Sequence, residues 1–333
     1  MNKLNLCLAL LSMCFLLACQ QGAQVDTLPL VKGDYLGETP PDTIPKVFGD
    51  GFISTHLYTR DFAMMPDGNE MYYSITAMGY NLIYFTKQNA DQSWTEPQPA
   101  SFIKDYSYMY YEPCISADGQ KLFFLSDKPA AEGAEGNEDI WCVDRTGDTW
   151  GEPYNIGEPI NTEGAEFYPS ITNDGTMYFT RRPVGERVHY IYRSKWVDGR
   201  YTEPEKLPEQ VNCGASRFNA YIAPDESYII VPAVGMEDTF GGTDYYICFR
   251  NADDTWTEPV NMGTHINTKS GREYSTTLSH DGKYLFFMTE RKAQTTTEPM
   301  DMSLSKLQDM SNQTLNGSSN IFWVDAAFIK KLK

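Results

Sequence analysis

Residues 166–180 read Glu-Phe-Tyr-Pro-Ser-Ile-Thr-Asn-Asp-Gly-Thr-Met-Tyr-Phe-Thr. Two runs of strand-forming residues flank an Asp-Gly pair in this stretch, and that pattern predicts a hairpin with a tight turn. Equivalent turns occur at Asp67-Gly68, Asp118-Gly119, Asp225-Glu226 and Asp281-Gly282. Successive turn aspartates are 51, 56, 51 and 56 residues apart. The chain therefore repeats one structural unit five times.

A second marker, an aromatic residue followed by x-Glu-Pro, keeps the same spacing. It occurs at Trp94–Pro97, Trp150–Pro153, Tyr201–Pro204 and Trp256–Pro259. A third strand-forming segment, such as Tyr190–Arg193, lies between turn and marker, and a fourth follows the marker. Four strands in each of five units of about 50 residues predict an all-β, five-bladed β-propeller with four-stranded blades. We expect the aromatic residue of each marker to pack between blades.

The fifth unit is incomplete at its C-terminal end. It has a turn at Asp281 and a third strand around Ile321–Val324, but the chain ends at Lys333 without a second marker. Its fourth strand must therefore come from elsewhere. Residues 45–55 resemble residues 259–268, which follow the marker of unit four. We expect this N-terminal strand to complete the last blade and close the ring, which leaves no large sheet edge exposed.

The repeats resemble the TolB-like propeller units, which are WD40-like repeats of cell-envelope proteins. The stretches that carry the resemblance are Glu112–Gly119, Tyr168–Gly175, Asp139–Trp141 with Trp150–Pro153, and Asn155–Thr162. Unit four departs from the pattern, because Glu226 stands where the other turns have glycine. The resemblance covers residues 45–333 and implies one propeller domain over that range. It implies little about activity, because one fold hosts unrelated functions.

The first eighteen residues have the pattern of a secretory signal peptide. Lys3 precedes an apolar stretch, residues 4–18, that is too short for a membrane span. The stretch ends in Leu-Leu-Ala-Cys at residues 16–19, which resembles a bacterial lipobox and implies lipid attachment to Cys19. The alternative is an ordinary signal peptide with an incidental cysteine. With residues 19–44 as lipidated cysteine and tether, we expect a protein anchored to a membrane of the bacterial cell envelope, facing the periplasm or the cell surface.

The chain of 333 residues carries 45 acidic and 27 basic side chains. This acidic balance excludes nucleic acid as a partner, because phosphate binding requires a basic surface. No histidine or cysteine spacing indicates a zinc site, and no glycine-rich loop indicates a nucleotide site, so we expect neither a metal nor a cofactor. We expect a monomer in which four cysteines are small buried hydrophobes rather than disulfide partners: Cys114, Cys142, Cys213 and Cys248.

Charged and aromatic residues recur near the start of each predicted inner strand. They are Arg60 and Asp61, Tyr110 and Glu112, Glu166 and Tyr168, Arg217 and Asn219, and Arg272, Glu273 and Ser275. Inner strands line the central channel of a propeller, so these side chains are expected to converge on one funnel at its mouth. Such a funnel suits a sugar, another charged small molecule or an envelope protein. The alternative is that the charges pair across the channel and fill it with hydrogen bonds.

Two enzymatic hypotheses use the same positions. Asp61, Glu112 and Glu166 come from consecutive units, and two opposed carboxylates among them can act on a glycosidic bond as acid and as base or nucleophile. A sialidase variant would grip a carboxylate with Arg60, Arg217 and Arg272. We therefore predict an envelope-anchored protein that binds a carbohydrate or an envelope protein, and keep a glycan-active enzyme of glycoside hydrolase or lyase type as the alternative.

Unit five also contains a long insertion, residues 291–320, between its second and third strands. It is rich in Thr, Met, Ser and Asn, whereas unit three spends about seven residues at this point. The loop is expected to open on the face of the predicted funnel mouth, where it acts as a lid or a partner-docking arm. The alternative is a tolerated surface loop.

Overall fold

The computed structural model describes residues 28–269, 272–293 and 302–333. The predicted signal peptide, Cys19 and part of the long insertion, residues 294–301, lie outside these described residues. Within the three ranges, no helix has the length and apolarity that crossing a membrane requires.

Five antiparallel sheets of four or five strands, one for each repeat, make a five-bladed propeller, and a two-stranded hairpin forms a sixth sheet. The first strand in the chain is β1 (Lys46–Val47). Blade 1 contains β2 (Tyr58–Met64), β3 (Glu70–Ala77), β4 (Tyr80–Lys87) and β5 (Gln98–Pro99). Blade 2 contains β6 (Tyr110–Ile115), β7 (Lys121–Ser126), β8 (Asp139–Thr146), β9 (Thr149–Trp150) and β10 (Tyr154–Asn155).

Blade 3 contains β11 (Ala165–Ile171), β12 (Met177–Arg182), β13 (Tyr190–Ser194) and β16 (Glu205–Lys206), and a hairpin of β14 (Trp196–Val197) and β15 (Arg200–Tyr201) follows β13. Blade 4 contains β17 (Ser216–Arg217), β18 (Tyr221–Ile222), β19 (Tyr228–Val234), β20 (Asp244–Phe249) and β21 (Val260–Asn261). Blade 5 contains β22 (Thr276–Leu278), β23 (Tyr284–Thr289) and β24 (Asn320–Asp325). Helix α1 (Leu304–Ser311) lies in the insertion, and 3₁₀ turns span Asp34–Gly37 and Ala326–Lys331.

The ring closes as the repeats predict. Strand β1 pairs with β24 and becomes the outermost strand of blade 5, with Val47 opposite Phe322. The next residue, Phe48, is fully buried, and its ring packs 4.9 Å from that of Phe286 and 5.1 Å from that of Trp323. Both backbone pairing and aromatic packing therefore hold the N-terminal strand in the last blade.

The marker aromatics pack between blades, as expected. Trp150 of blade 2 is buried, and its Nε1 donates a hydrogen bond of 2.8 Å to the hydroxyl of Tyr72 in blade 1. Trp94 Nε1 donates a hydrogen bond of 2.8 Å to the carbonyl of Gly33, which precedes the first blade. The nearby Leu36 is buried in the cluster that joins blades 1 and 5. Residues 33–37, expected only to tether the domain, therefore contribute to this packing.

The four cysteines of the propeller are free thiols. Cys142, Cys213 and Cys248 are buried and Cys114 is half-buried, as expected for small hydrophobes. Burial raises the pKa of the Cys142 thiol to about 11 and that of the Cys213 thiol to about 11. These side chains are therefore neutral packing groups.

Candidate functional site

Each blade places one residue with a left-handed backbone six positions before its turn aspartate. These five residues form what we call the axial ring: Asp61 (φ 57°), Glu112 (φ 60°), Tyr168 (φ 51°), Asn219 (φ 50°) and Ser275 (φ 84°). In blades 1 to 3, the pairing of the first two strands shifts register at this position. A bulge of this kind re-aims a side chain. It turns each ring residue toward its counterparts in the other blades.

The axial ring is joined by hydrogen bonds between blades. Asn219 Nδ2 donates to Glu112 Oε1 at 3.2 Å and to Ser275 Oγ at 3.4 Å. Ser275 Oγ donates in turn to Asp61 Oδ1. The backbone N–H of Tyr168 donates to Glu112 Oε2 at 2.7 Å. All five members are thus connected, and all five are buried.

Arg60 neutralises the two carboxylates of the axial ring. Its Nε lies 2.7 Å from Asp61 Oδ2 and its Nη2 lies 2.8 Å from Glu112 Oε1. The guanidinium also lies over the rings of Tyr111 and Tyr274, at 5.2 and 4.6 Å from their centroids. Burial raises the pKa of the Glu112 carboxyl, an effect that Arg60 opposes and the charge of Asp61 reinforces. The structure therefore brings Arg60, Asp61 and Glu112 together.

Glu166 is not part of this group. Its carboxylate is fully buried within blade 3, where it accepts hydrogen bonds from Arg181 Nε at 2.7 Å and from the backbone and hydroxyl of Thr162 at 2.9 and 2.6 Å. Glu273 occupies the equivalent position in blade 5 and accepts hydrogen bonds from the hydroxyls of Thr268 and Thr289. Burial raises the pKa of Glu273 to about 7. Both side chains are directed into their own blades rather than into the ring.

The remaining residues that the sequence singled out are dispersed. Tyr110 is buried in the core, with its ring 5.9 Å from that of Phe124. Arg217 is buried and donates to backbone carbonyls, among them that of Cys213 at 2.8 Å. Arg272 is 67% exposed and lies 3.5 Å from Glu290. Arg60, Arg217 and Arg272 therefore have separate partners.

Four aromatic residues that the sequence analysis did not single out lie next to the axial ring, each one position before a ring residue. The residue immediately before each ring position is half-buried: Arg60, Tyr111, Phe167, Phe218 and Tyr274. The rings of Phe218 and Tyr274 are 5.9 Å apart, and that of His189 lies 5.4 Å from Phe167. An aromatic residue at this step in four of five units is a signal that the sequence alone contains.

A cavity on the axis lies on the other side of the axial ring, away from Arg60. This cavity of about 740 Å³ extends from Asp61, Glu112 and Tyr168 toward the face of the Asp-Gly turns. Its walls are formed by inner-strand residues of all five blades, including Phe62, Ile115, Ile171, Tyr221 and Leu278. Its edge includes His280, Asp281, Lys330 and Lys333. This volume is in the range of small-molecule sites.

One buried hydroxyl beside the cavity has no hydrogen-bond partner among the described residues. The buried Oγ1 of Thr276 makes no hydrogen bond within the described part of the chain, and Thr276 lines the cavity. Across the same described ranges, no group of three or more His, Cys, Asp or Glu side chains is arranged to hold a metal ion.

Comparison with known proteins gives structural similarity only. No family model matches the chain, and no curated protein matches it. A putative TolB from Agrobacterium tumefaciens is similar with a TM-score of 0.46 and 14% identity, over 80% of this chain and 89% of that one. TolB from Acinetobacter baumannii gives 0.43 and 13%, over 90% of this chain and 63% of that one.

A mutant NanB sialidase from Streptococcus pneumoniae is also similar, with a TM-score of 0.41 and 13% identity over 78% of this chain and 37% of that one. The chain thus spans less than two thirds of the Acinetobacter TolB and of the sialidase. TolB proteins are among the structures that this chain resembles, while its five-bladed architecture follows from its own five sheets.

Proposed function

We propose that this propeller is a carbohydrate-binding protein of the bacterial cell envelope and that its axial cavity is the binding site. The observation that carries the proposal is the cavity of about 740 Å³, closed at one end by the axial ring. A site of this size, with mostly apolar walls and a few polar groups at defined positions, is the usual form of a small-molecule pocket.

The chemistry of the cavity supports a sugar. Pyranose rings have apolar faces and a rim of hydroxyl groups. Leu278 and Tyr221 provide apolar wall surface, while Asp61 and Glu112 lie at the inner end. Asn173 and Asp281 add polar side chains to the lining, with which the hydroxyl groups of a sugar can form hydrogen bonds.

We favour binding without turnover because the candidate carboxylates are already paired with arginine side chains. Asp61 and Glu112 both contact Arg60, and Glu166 is held inside blade 3 by Arg181. A glycoside hydrolase needs two carboxyl groups that reach opposite sides of one glycosidic bond. A glycan-active enzyme is the second candidate, favoured by the raised pKa of Glu112, since a general acid must be protonated near the working pH.

The envelope location is proposed from the sequence of residues 1–19. The lipobox-like stretch ending at Cys19 supports lipid attachment, and the acyl chains would hold a monomeric propeller at a membrane surface. Metabolic labelling with a radioactive fatty acid tests this directly. Incorporation that Cys19→Ser abolishes supports the anchor, whereas labelling that survives the substitution contradicts it.

The binding proposal is tested with the purified full chain on a glycan panel, with released products monitored by mass spectrometry. Thr277 is a half-buried residue that lines the cavity, so Thr277→Trp should obstruct the site and abolish binding. Thr149→Trp, at an exposed position on β9, is the matched control and should bind normally. Binding that persists in Thr277→Trp would refute the assigned site. Failure of every glycan, together with capture of an envelope protein through the same cavity, would refute the ligand class.

A further inference from the structure

A second pocket, of about 360 Å³, lies between blades 2 and 3 and adjoins the axial cavity. The two spaces share four lining residues: Ser116, Ala117, Ile171 and Asn173. Tyr154 of blade 2 and Trp196 and Tyr201 of blade 3 line the outer part of this pocket, which we call the aromatic groove. The aromatic groove therefore lies directly beside the axial cavity, along one blade boundary.

An ion pair spans the boundary between blades 1 and 2 but has no counterpart among the described residues between blades 2 and 3. The aromatic groove is open because this ion pair is missing. Between blades 1 and 2, Arg145 donates to Glu70 from Nη1 and Nη2 at 2.9 and 2.6 Å. Between blades 2 and 3, Lys121 stands at the repeat position of Glu70, and Trp196 stands at that of Arg145. Lys121 instead contacts Asp144 of its own blade at 2.5 Å. No charge pair therefore spans this boundary between those two positions.

Trp196 is an unusual surface residue within the repeat. Its side chain packs over the turn of blade 3, where a Cβ added to Gly175 would lie 3.3 Å from the Cβ of Trp196. Its ring meets that of Tyr201 at 4.7 Å and 66°, yet Trp196 remains 42% exposed. The equivalent residues in blades 1 and 4 are Asn89 and Asn251. A fixed indole with an open face is thus particular to the aromatic groove.

We propose that the ligand is an oligosaccharide, with one end in the axial cavity and a following sugar ring stacked on Trp196 in the aromatic groove. This inference rests on the proposed function and extends it from a single sugar to a chain. The apolar face of a pyranose ring fits the exposed aromatic surface of Trp196 and Tyr154. Asp118 and Asp174 also line the groove and provide acceptors for the hydroxyl groups at the ring edge.

The experiment compares saccharides of increasing length. Glucose, galactose, mannose, N-acetylglucosamine and their two- to six-unit oligomers are titrated into the full chain by calorimetry. Affinity should rise with length in the unchanged protein. Trp196→Ala should weaken oligomer binding roughly tenfold while leaving the affinity for the monosaccharide unchanged. Trp196→Phe should retain most of the oligomer affinity, because an aromatic face remains. Val197→Ala, at the exposed neighbouring position, is the matched control and should change neither affinity.

The outcomes separate this inference from the proposed function. If saccharides bind and Thr277→Trp abolishes binding, but oligomers bind no better than monosaccharides or Trp196→Ala has no effect, the aromatic groove is not a subsite and the axial site stands. If no saccharide of any length binds, both proposals fail. A basic or proline-rich peptide that binds the chain and is lost in Trp196→Ala would also overturn the oligosaccharide assignment. Thermal melting of each variant shows whether the propeller remains folded.

Discussion

Arg60 of blade 1 contacts Glu112 of the neighbouring blade 2, with Nη2 2.8 Å from Oε1. The same guanidinium lies 2.7 Å from Asp61 in its own blade. One cation therefore compensates two buried carboxylates, and its position ties blade 1 to blade 2 at the axis. Buried charges are tolerated only when they are paired in this way.

Loss of Arg60 should destabilise the propeller strongly. Arg60→Met leaves Asp61 and Glu112 without their counter-charge, and breaking a buried ion pair costs about 3–5 kcal/mol. The free energy of unfolding in urea at neutral pH measures this effect. Arg272→Met is the matched control, because Arg272 is 67% exposed and its ion pair with Glu290 should contribute roughly 0–1 kcal/mol. Equal effects of the two substitutions would contradict the role assigned to Arg60.

Glu273 should make stability depend on pH. Burial raises its pKa from 4.5 in the unfolded chain to about 7 in the fold, so the folded state binds the proton more tightly. Its contribution is therefore fully present below about pH 4.5 and is lost as pH rises through about 7. Glu273→Gln should flatten this part of the stability curve. Superimposable pH profiles for the two proteins, measured by urea unfolding, would show that Glu273 does not titrate as described.

Phe48 should be essential for ring closure. Phe48→Ala removes a fully buried ring that packs on Phe286 and Trp323, and such a truncation typically costs about 3–5 kcal/mol. Hydrogen exchange should also accelerate at the amides that join β1 to β24. Val47→Ala, at the adjacent half-buried position, is the comparison and should have a smaller effect. Unchanged protection of β24 in Phe48→Ala would mean that backbone pairing alone closes the ring.

Glu112→Gln separates binding from catalysis. The substitution places an amide nitrogen among the donors Arg60, Asn219 and the Tyr168 N–H, so it should lower stability by about 1–3 kcal/mol. Glycan affinity should fall roughly tenfold, because the carboxylate lies at the inner end of the cavity. No product should form with either protein. Product release by the unchanged protein that disappears in folded Glu112→Gln would establish the enzymatic alternative.

Repeat spacing was sufficient to predict the five blades, the closure by β1 and all five turns, four of which have glycine after the aspartate. It also identified every member of the axial ring, because Asp61 and its equivalents stand at one fixed step. Repeat spacing did not show that Glu112 joins the axial ring whereas Glu166 points into its own blade, although the two residues stand at different positions of the repeat. A regular strand directs residues two apart to the same face, but the bulge at the ring position breaks that alternation, so Glu166 turns into its blade.

The cavity and the aromatic groove are harder to derive from sequence. The presence of Trp196 where other units have asparagine is visible in the repeat alignment. The contact of Lys121 with Asp144 of its own blade is not visible there, because it follows from three-dimensional distances rather than from repeat position.

The pairing of β1 with β24 also has a consequence for synthesis. A ribosome releases Lys46 and Val47 long before their partners Phe322 and Trp323. Until then the first strand has no native neighbour, and blade 5 lacks its outer edge. During that interval the nascent chain exposes a strand that can pair with another molecule. Chaperone protection of the N-terminal segment would therefore matter most while the last blade is still being made.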